Sequence, residues 1–188
     1  MNLLLHTCCA PCASHCVLTL RELGHTVTLF YANANIAPHA EFRRRLESVE
    51  RLADRLAVPL LVEAPDHADW LARAACGLEG ARERGPRCAR CFRYSLCRTA
   101  ELMRQRGFDG FTTSLSVSPH KRTATLFEAG RAVDAGRFLA IDFKKNDGFL
   151  RSLRLASEFG LYRQSYCGCE FSQKDTSRPV EEQGGIMG

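Results

Sequence analysis

Residues 3–12 read LLLHTCCAPC, a short apolar run followed by three cysteines within five residues. The apolar run predicts a buried strand and the sequence after it predicts a helix, so Cys8, Cys9 and Cys12 are expected in the turn between them. In open α/β sheets ligands bind at this turn, and a helix N-terminus favours thiolates. The turn contains no glycine to wrap a phosphate, which weighs against ATP as a substrate.

The rest of the chain alternates between strand-like and helix-like patterns. Strands are predicted at residues 26–31, 60–63, 111–115 and 139–143, and helices at 12–23, 38–56, 70–78, 88–106, after 121 and at 149–159. The clearest helix carries Phe42, Leu46, Val49 and Ala53 at alternating spacings of four and three residues. This alternation predicts an α/β fold with a three-layer parallel sheet. Residues 1–171 are expected to form a single domain, and the polar, glycine-containing segment 172–188 a disordered tail.

The chain has 188 residues and ten cysteines, of which seven are clustered. The N-terminus lacks the pattern of a signal peptide, and no segment approaches the roughly 20 apolar residues of a membrane span. We therefore expect a cytoplasmic protein, in which clustered cysteines bind metal more often than they form disulfides.

The seven clustered cysteines fall in three tight groups, which are Cys8/Cys9/Cys12, Cys88/Cys91 and Cys167/Cys169. Pairs at separated places in a chain are typical of thiolate metal sites, and soft thiolates select zinc, copper(I) or iron–sulfur. A [4Fe–4S] cluster would use four of them, and the others could hold a second metal, act as redox thiols or form a disulfide. Cys16, Cys76 and Cys97 are interpreted as buried free cysteines that pack as small apolar side chains.

Charged residues and histidines supply further candidates. His6 flanks the cysteine turn, and Asp142 follows the last predicted strand, so both are candidate catalytic residues. Two stretches rich in Lys and Arg, 82–106 and 121–163, flank the later cysteine pairs and favour a polyanion as partner, although solvated helix faces explain them equally well.

Seven motifs, in order along the chain, resemble those of the cobalamin-independent epoxyqueuosine reductases of the QueH type. They are HTCCAPC (6–12), YANANI (31–36), EFRRR (41–45), RCARCF (87–92), TTSLSVSPHK (112–121), DFKK (142–145) and YRQSYCGC (162–169). The family loop usually reads closer to Tyr-Asn-Pro-Asn-Ile, so Ala32 and Ala34 depart from it. Position 12 can be Asp in the family, which suggests that Cys12 binds a single metal ion beside the cluster.

The resemblance implies a Rossmann-like fold of the adenine nucleotide α-hydrolase type, and reduction of epoxyqueuosine to queuosine in a tRNA anticodon loop. It implies a [4Fe–4S] cluster with a second metal ion, iron or zinc, and two partners: tRNA carrying epoxyqueuosine and an unidentified electron donor. The implied cluster ligands are Cys8, Cys9, Cys88, Cys91, Cys167 and Cys169, with Cys12 among the metal ligands. The residues expected to contact tRNA phosphates are Arg43, Lys121, Lys144, Lys145, Arg151 and Arg163.

Three alternatives remain open at this point. An ATP-dependent tRNA-thiolating enzyme of the same fold would need a glycine-rich phosphate loop. A tRNA-binding protein could use its cysteines only for structural zinc. A dithiol redox protein would be active without any metal.

Overall fold

The computed structural model describes residues 1–175. Its strands are β1 (Asn2–His6), β2 (Thr26–Tyr31), β3 (Leu60–Val62) and β4 (Gly110–Thr113). Its α-helices are α1 (Ala10–Glu22), α2 (His39–Leu56), α3 (His67–Trp70), α4 (Pro86–Arg106), α5 (Thr123–Asp134), α6 (Gly148–Glu158) and α7 (Glu170–Asp175). A π-helical turn at Leu71–Ala75 extends α3, and a 3₁₀ turn at Ser114–Val117 follows β4.

The four strands form one parallel sheet in the order β3-β2-β1-β4. Leu4 of β1 pairs with Thr28 of β2 on one side and with Phe111 of β4 on the other. The chain therefore leaves β1 toward one edge of the sheet and later returns to its other side. This reversal creates a topological switch point at the carboxyl ends of β1 and β4, where open α/β sheets bind ligands.

Helices cover both faces of the sheet, so the predicted three-layer architecture is confirmed. Leu3 and Leu5 belong to a core formed with α1, α2 and α6, whereas Leu4 belongs to a core with α4 and α5. Successive strand residues point to opposite faces, which explains this division of three consecutive leucines. All three are fully buried.

The predicted strand at 139–143 is wrong. Phe138 makes a single bridge to Phe111, and the backbone N–H of Leu139 donates to the Phe111 carbonyl at 2.8 Å. Only Thr112 and Thr113 of β4 follow that bridge before the 3₁₀ turn begins at Ser114, so little strand edge remains to pair with. The side-chain hydroxyls of Thr112 and Ser116 bind the carbonyls of Leu139 and Ile141 instead, at 2.8 and 2.9 Å.

Helix ends follow simple local chemistry. Gly107 ends α4 with φ +71°, in the left-handed region that glycine adopts without strain. The helix predicted at 70–78 instead begins earlier, at His67, and ends in the π-helical turn at Ala75.

The last helix, α7, extends into the segment predicted to be a tail. Ser172 is buried, and its hydroxyl donates to the Cys169 carbonyl at 2.7 Å. The predicted boundary after residue 171 therefore falls inside a helix, and residues 176–188 of the predicted tail lie outside the described residues. Among the helices of residues 1–175, none is long and apolar enough to cross a membrane.

Candidate metal centre

The cysteine turn lies at the switch point of the sheet, as the sequence predicts. Cys8 and Cys9 follow β1, and Cys12 lies in the first turn of α1, whose N-cap is Cys9. The backbone N–H of Cys8 donates to the Ser114 hydroxyl at 3.1 Å, which joins this turn to the turn after β4. The same hydroxyl lies 3.4 Å from the Cys8 sulfur.

Cys8, Cys9 and Cys12 form a compact sulfur triad. Their three Sγ atoms all lie within 4.8 Å of one another, and the Cys8 and Cys9 sulfurs are 3.7 Å apart. Thiolates bound at about 2.3 Å to one tetrahedral ion lie about 3.8 Å apart. The triad therefore has the spacing to hold one metal ion and to leave a fourth position open.

Hydrogen bonds within the triad favour a shared thiolate. Those from Cys12 and Cys8 hold the pKa of Cys9 well below its usual value. Because the Cys12 thiol donates to the Cys8 and Cys9 sulfurs, its pKa lies well above the usual value of a cysteine. A metal ion would displace the remaining protons, because the thiolate is the form that binds metal.

The other four clustered cysteines form a second group, the sulfur quartet of Cys88, Cys91, Cys167 and Cys169. Burial raises the pKa of Cys91, and the nearby Cys167 and Cys169 sulfurs raise it further. Within residues 1–175 the triad is the only set of three or more candidate ligands inside 4.8 Å, so the quartet is more widely spaced. Wider spacing suits a cluster, in which each thiolate binds a different iron.

One cavity of about 390 Å³ connects the two groups. All three triad cysteines line it, together with Cys91 and Cys167. The aromatic rings of Phe92, Phe149 and Tyr166 also line this cavity. It is wide enough for a small organic group next to both sets of sulfurs.

Lys121 lies between the two sulfur groups. Its ammonium is 3.7 Å from the Cys167 sulfur, and its side chain lines the cavity. Burial alone would lower the pKa of Lys121, but the nearby Cys167 and Cys8 sulfurs raise it above its usual value. The sequence predicted that Lys121 contacts a tRNA phosphate, whereas in the structure its ammonium lies next to the Cys167 sulfur.

Arg45 positions the segment that carries Cys167, and sequence reasoning missed it. Its guanidinium is 2% exposed and donates to the carbonyls of Cys167 and Tyr166 at 3.0 and 3.2 Å. Its Nε donates to Glu41 at 2.7 Å, which balances the buried charge. An arginine three residues after Phe42, on the apolar face of α2, is the only sequence signal that could have revealed this role.

We expect Arg45→Lys to loosen the Cys167 segment. Lysine cannot donate to two carbonyls in the planar geometry of a guanidinium, so the variant should lose about 2 kcal/mol of stability. Thermal unfolding and iron content after anaerobic reconstitution measure the effect, and both should fall. Arg43→Lys, an exposed neighbour on the same helix, is the matched control. Equal iron content in the two variants would contradict this role.

The other predicted phosphate contacts divide into two groups. Arg43, Lys145 and Arg163 are exposed, and Arg163 also lines the cavity. Lys144 donates instead to the Lys121 carbonyl and to Thr123, which fixes the start of α5. Arg151 forms an ion pair with Glu22 at 3.4 Å.

The two candidate catalytic residues are placed differently. His6 lines the cavity, and its Nδ1 lies 2.9 Å from the Thr113 hydroxyl. Burial lowers the pKa of His6 to about 4, so its imidazole is neutral near pH 7. Asp142 is not among the residues that line the described cavity, and its carboxylate accepts the backbone N–H of Lys144 at 3.2 Å.

The three cysteines interpreted as non-ligands differ in their burial. Cys16 is buried on the core-facing side of α1, whereas Cys76 is exposed, so the predicted burial of Cys76 is wrong. Cys97 is half-buried on α4. All ten cysteines of the chain are free thiols.

Comparison with a solved structure supports the fold. The chain resembles the crystal structure of a predicted subunit of tRNA methyltransferase from Methanocaldococcus jannaschii, with a TM-score of 0.57. The match covers 84% of this chain and 75% of that one at 16% identity, so it bears on the fold alone.

Comparisons of sequence are more specific. The family model of the epoxyqueuosine reductase QueH matches residues 3–175. An epoxyqueuosine reductase QueH of Streptococcus pyogenes is 35% identical over 92% of this chain and 71% of its own length. The enzyme of Acinetobacter baylyi is 34% identical over 97% of this chain and 85% of its own length. That of Thermotoga maritima is 31% identical over 91% of this chain and 90% of its own length. The chain therefore belongs to the epoxyqueuosine reductase QueH family.

Proposed function

We propose that the triad and the quartet are two metal sites of one reductase centre. The triad would hold a single metal ion, iron or zinc, and the quartet a [4Fe–4S] cluster. The observation that carries this division is that the three triad sulfurs lie within 4.8 Å of one another, whereas no three sulfurs of the quartet do, and that members of both groups line one cavity.

As a QueH family member, the protein is an oxidoreductase that converts epoxyqueuosine to queuosine in tRNA. Removing the epoxide oxygen requires two electrons and two protons, forms a carbon–carbon double bond and releases water. When bound, the cluster would supply electrons, and the ion would act as a Lewis acid at the epoxide oxygen.

The chain's own residues provide the environment for this reaction. The Lys121 ammonium would partly neutralise the negative charge of the thiolates. Without it, that charge would make the addition of electrons to the site less favourable. His6 is neutral near pH 7, so it would orient a group by hydrogen bonding rather than supply the proton of an imidazolium. Arg45 holds Cys167 in place from behind the cavity.

The modified base must flip out of the base stack of the anticodon loop to reach sulfurs inside a cavity. Enzymes that react with a base generally take it out of its stack, and aromatic side chains then pack against it. Phe92 and Phe149 would supply such surfaces, and Arg163, which is exposed and lines the cavity, would contact a flanking phosphate. Because the substrate class is tRNA, we infer a cytoplasmic location.

Arg163→Ala should weaken tRNA binding without changing metal content. Loss of one phosphate contact should reduce the slope of log affinity against log salt concentration by about one. Titration of epoxyqueuosine-containing tRNA at several salt concentrations measures this slope. Arg151→Ala removes an arginine already paired with Glu22 and should bind as the unmodified protein does. Identical slopes for both variants would argue against an Arg163 contact.

The function is tested by turnover under anaerobic conditions. Purified protein, reconstituted with iron and sulfide, should convert epoxyqueuosine-containing tRNA to the queuosine form when a low-potential chemical reductant is supplied. Zinc-loaded protein that binds tRNA but converts none would favour the structural-zinc alternative. Conversion by metal-free protein would favour a dithiol mechanism. Conversion that requires ATP would favour the thiolating relatives.

A further inference from the structure

Trp70 is the largest fully buried side chain of the described residues and lies next to the quartet. Trp70 is 1% exposed and packs in a small group of buried side chains with Ala74, Ala75 and Cys169. Cys91 packs against this group. Cys91 and Cys169 are both quartet members, so the indole borders the proposed cluster site directly.

Two neighbouring rings hold the indole of Trp70 in place. Its ring stacks on His67 with centroids 5.4 Å apart and an interplanar angle of 19°. It also packs against Phe171 of α7, with ring centroids 6.4 Å apart. His67 is in turn held by the Ala34 carbonyl at 2.7 Å and by Glu170 at 3.1 Å. The direction of the N–H is therefore determined by packing.

That N–H has no satisfied hydrogen bond. Nε1 is buried, and no group in residues 1–175 accepts from it in hydrogen-bonding geometry. A buried donor without a partner is unfavourable, so native proteins rarely keep one without a reason.

The Cys91 sulfur is the acceptor that this N–H affects. Burial raises the pKa of the Cys91 thiol, and the indole N–H of Trp70 acts in the opposite direction. Cys91 packs against the same group of buried side chains as Trp70, so its sulfur is an acceptor next to the unpaired N–H. Thiolate is the form in which cysteine binds metal.

We propose that Trp70 is a positioning residue whose buried indole N–H donates to the metal-bound Cys91 sulfur and thereby raises the reduction potential of the group that the quartet holds. The inference rests on the proposed function, because it assumes that the quartet binds an iron–sulfur cluster. A hydrogen bond to a thiolate withdraws negative charge from it and stabilises the more negative, reduced state. The indole would serve as an outer partner of the kind that tunes metal sites.

The test compares two variants of the anaerobically reconstituted protein. Trp70→Phe keeps an aromatic ring but removes the N–H. Phe171→Leu disturbs the same group of packed side chains and keeps the N–H. The midpoint potential of Trp70→Phe should fall so that the reduced fraction at a fixed potential drops about tenfold, which is about 59 mV for a one-electron couple. Phe171→Leu should stay close to the unmodified protein. Equal potentials in Trp70→Phe and the unmodified protein would overturn the proposal, as would equal shifts in both variants.

A second measurement needs no variant and does not depend on the cluster. Trp70 is the only tryptophan of the chain, so protein labelled with ¹⁵N at tryptophan gives one indole N–H resonance. Loading with ¹¹³Cd²⁺, which prefers thiolates, should shift this resonance downfield and couple its proton to cadmium through the Cys91 sulfur. An indole resonance that stays unchanged on cadmium loading would refute the hydrogen bond.

The two experiments separate this inference from the proposed function. A protein that takes up cadmium and shows the coupling, yet forms no iron–sulfur cluster, would retain the hydrogen bond and lose the proposed cofactor. A protein that forms the cluster with an unperturbed indole would retain the function and lose the role of Trp70.

Discussion

Cys88→Ala should abolish both the iron–sulfur absorption and the turnover of epoxyqueuosine-containing tRNA. Cys88 lies in the first turn of α4, and the Cys167 and Cys169 sulfurs influence its thiol. Removal of a direct ligand should cost more than the roughly 10–100-fold that changes to outer partners cost. Anaerobic absorption spectra, iron content and turnover measure the effect together.

The same helix offers a matched control for this variant. Cys97→Ala, two and a half turns further along α4, removes a half-buried thiol that belongs to neither sulfur group. It should keep its iron and most of its activity. Retained activity in Cys88→Ala, or equal losses in the two variants, would contradict the assignment of Cys88 as a ligand.

Cys12→Ala should separate the two metal sites. The variant should lose the single metal ion of the triad and keep the absorption of the cluster, because the quartet is intact. Loss of Lewis-acid assistance, worth several kcal/mol, should reduce turnover by about a hundredfold or more. Metal analysis and single-turnover kinetics measure both quantities on the same sample.

Two further variants sharpen this prediction. Cys12→Asp provides a carboxylate that also binds iron or zinc, so it should recover part of the metal and of the turnover. Cys16→Ala, one turn further along α1, removes a buried thiol and should leave both metals in place. Loss of the cluster absorption together with the ion in Cys12→Ala would contradict the division into triad and quartet.

The local patterns of this sequence were sufficient for most of its fold. The strand at residues 3–5, the amphipathic helix containing Phe42 and Val49, and the glycine that ends α4 are all decided within a few residues of chain. The strand predicted at 139–143 failed because pairing depends on a neighbour. Its apolar residues resemble a strand, but β4 ends at Thr113, only two residues beyond its bridge at Phe111, and offers them little edge to pair with.

The site was predictable in its sulfurs but not in its charges. The spacing of clustered cysteines alone indicates a metal site. A lysine or arginine, by contrast, looks the same in the sequence whether it lies on the surface or inside a site. Lys121 and Arg45 are therefore recognised only from their contacts with Cys167. Trp70 is similar, because an apolar helix pattern contains no information on the direction of an indole N–H.

Iron, sulfide and zinc analysis of the anaerobically reconstituted protein, before and after Cys12→Ala, tests whether distant cysteines share a cluster beside a single ion. We predict about four iron and four sulfide per chain, plus one further metal ion that only the unmodified protein retains. Stoichiometric zinc without acid-labile sulfide would contradict this arrangement.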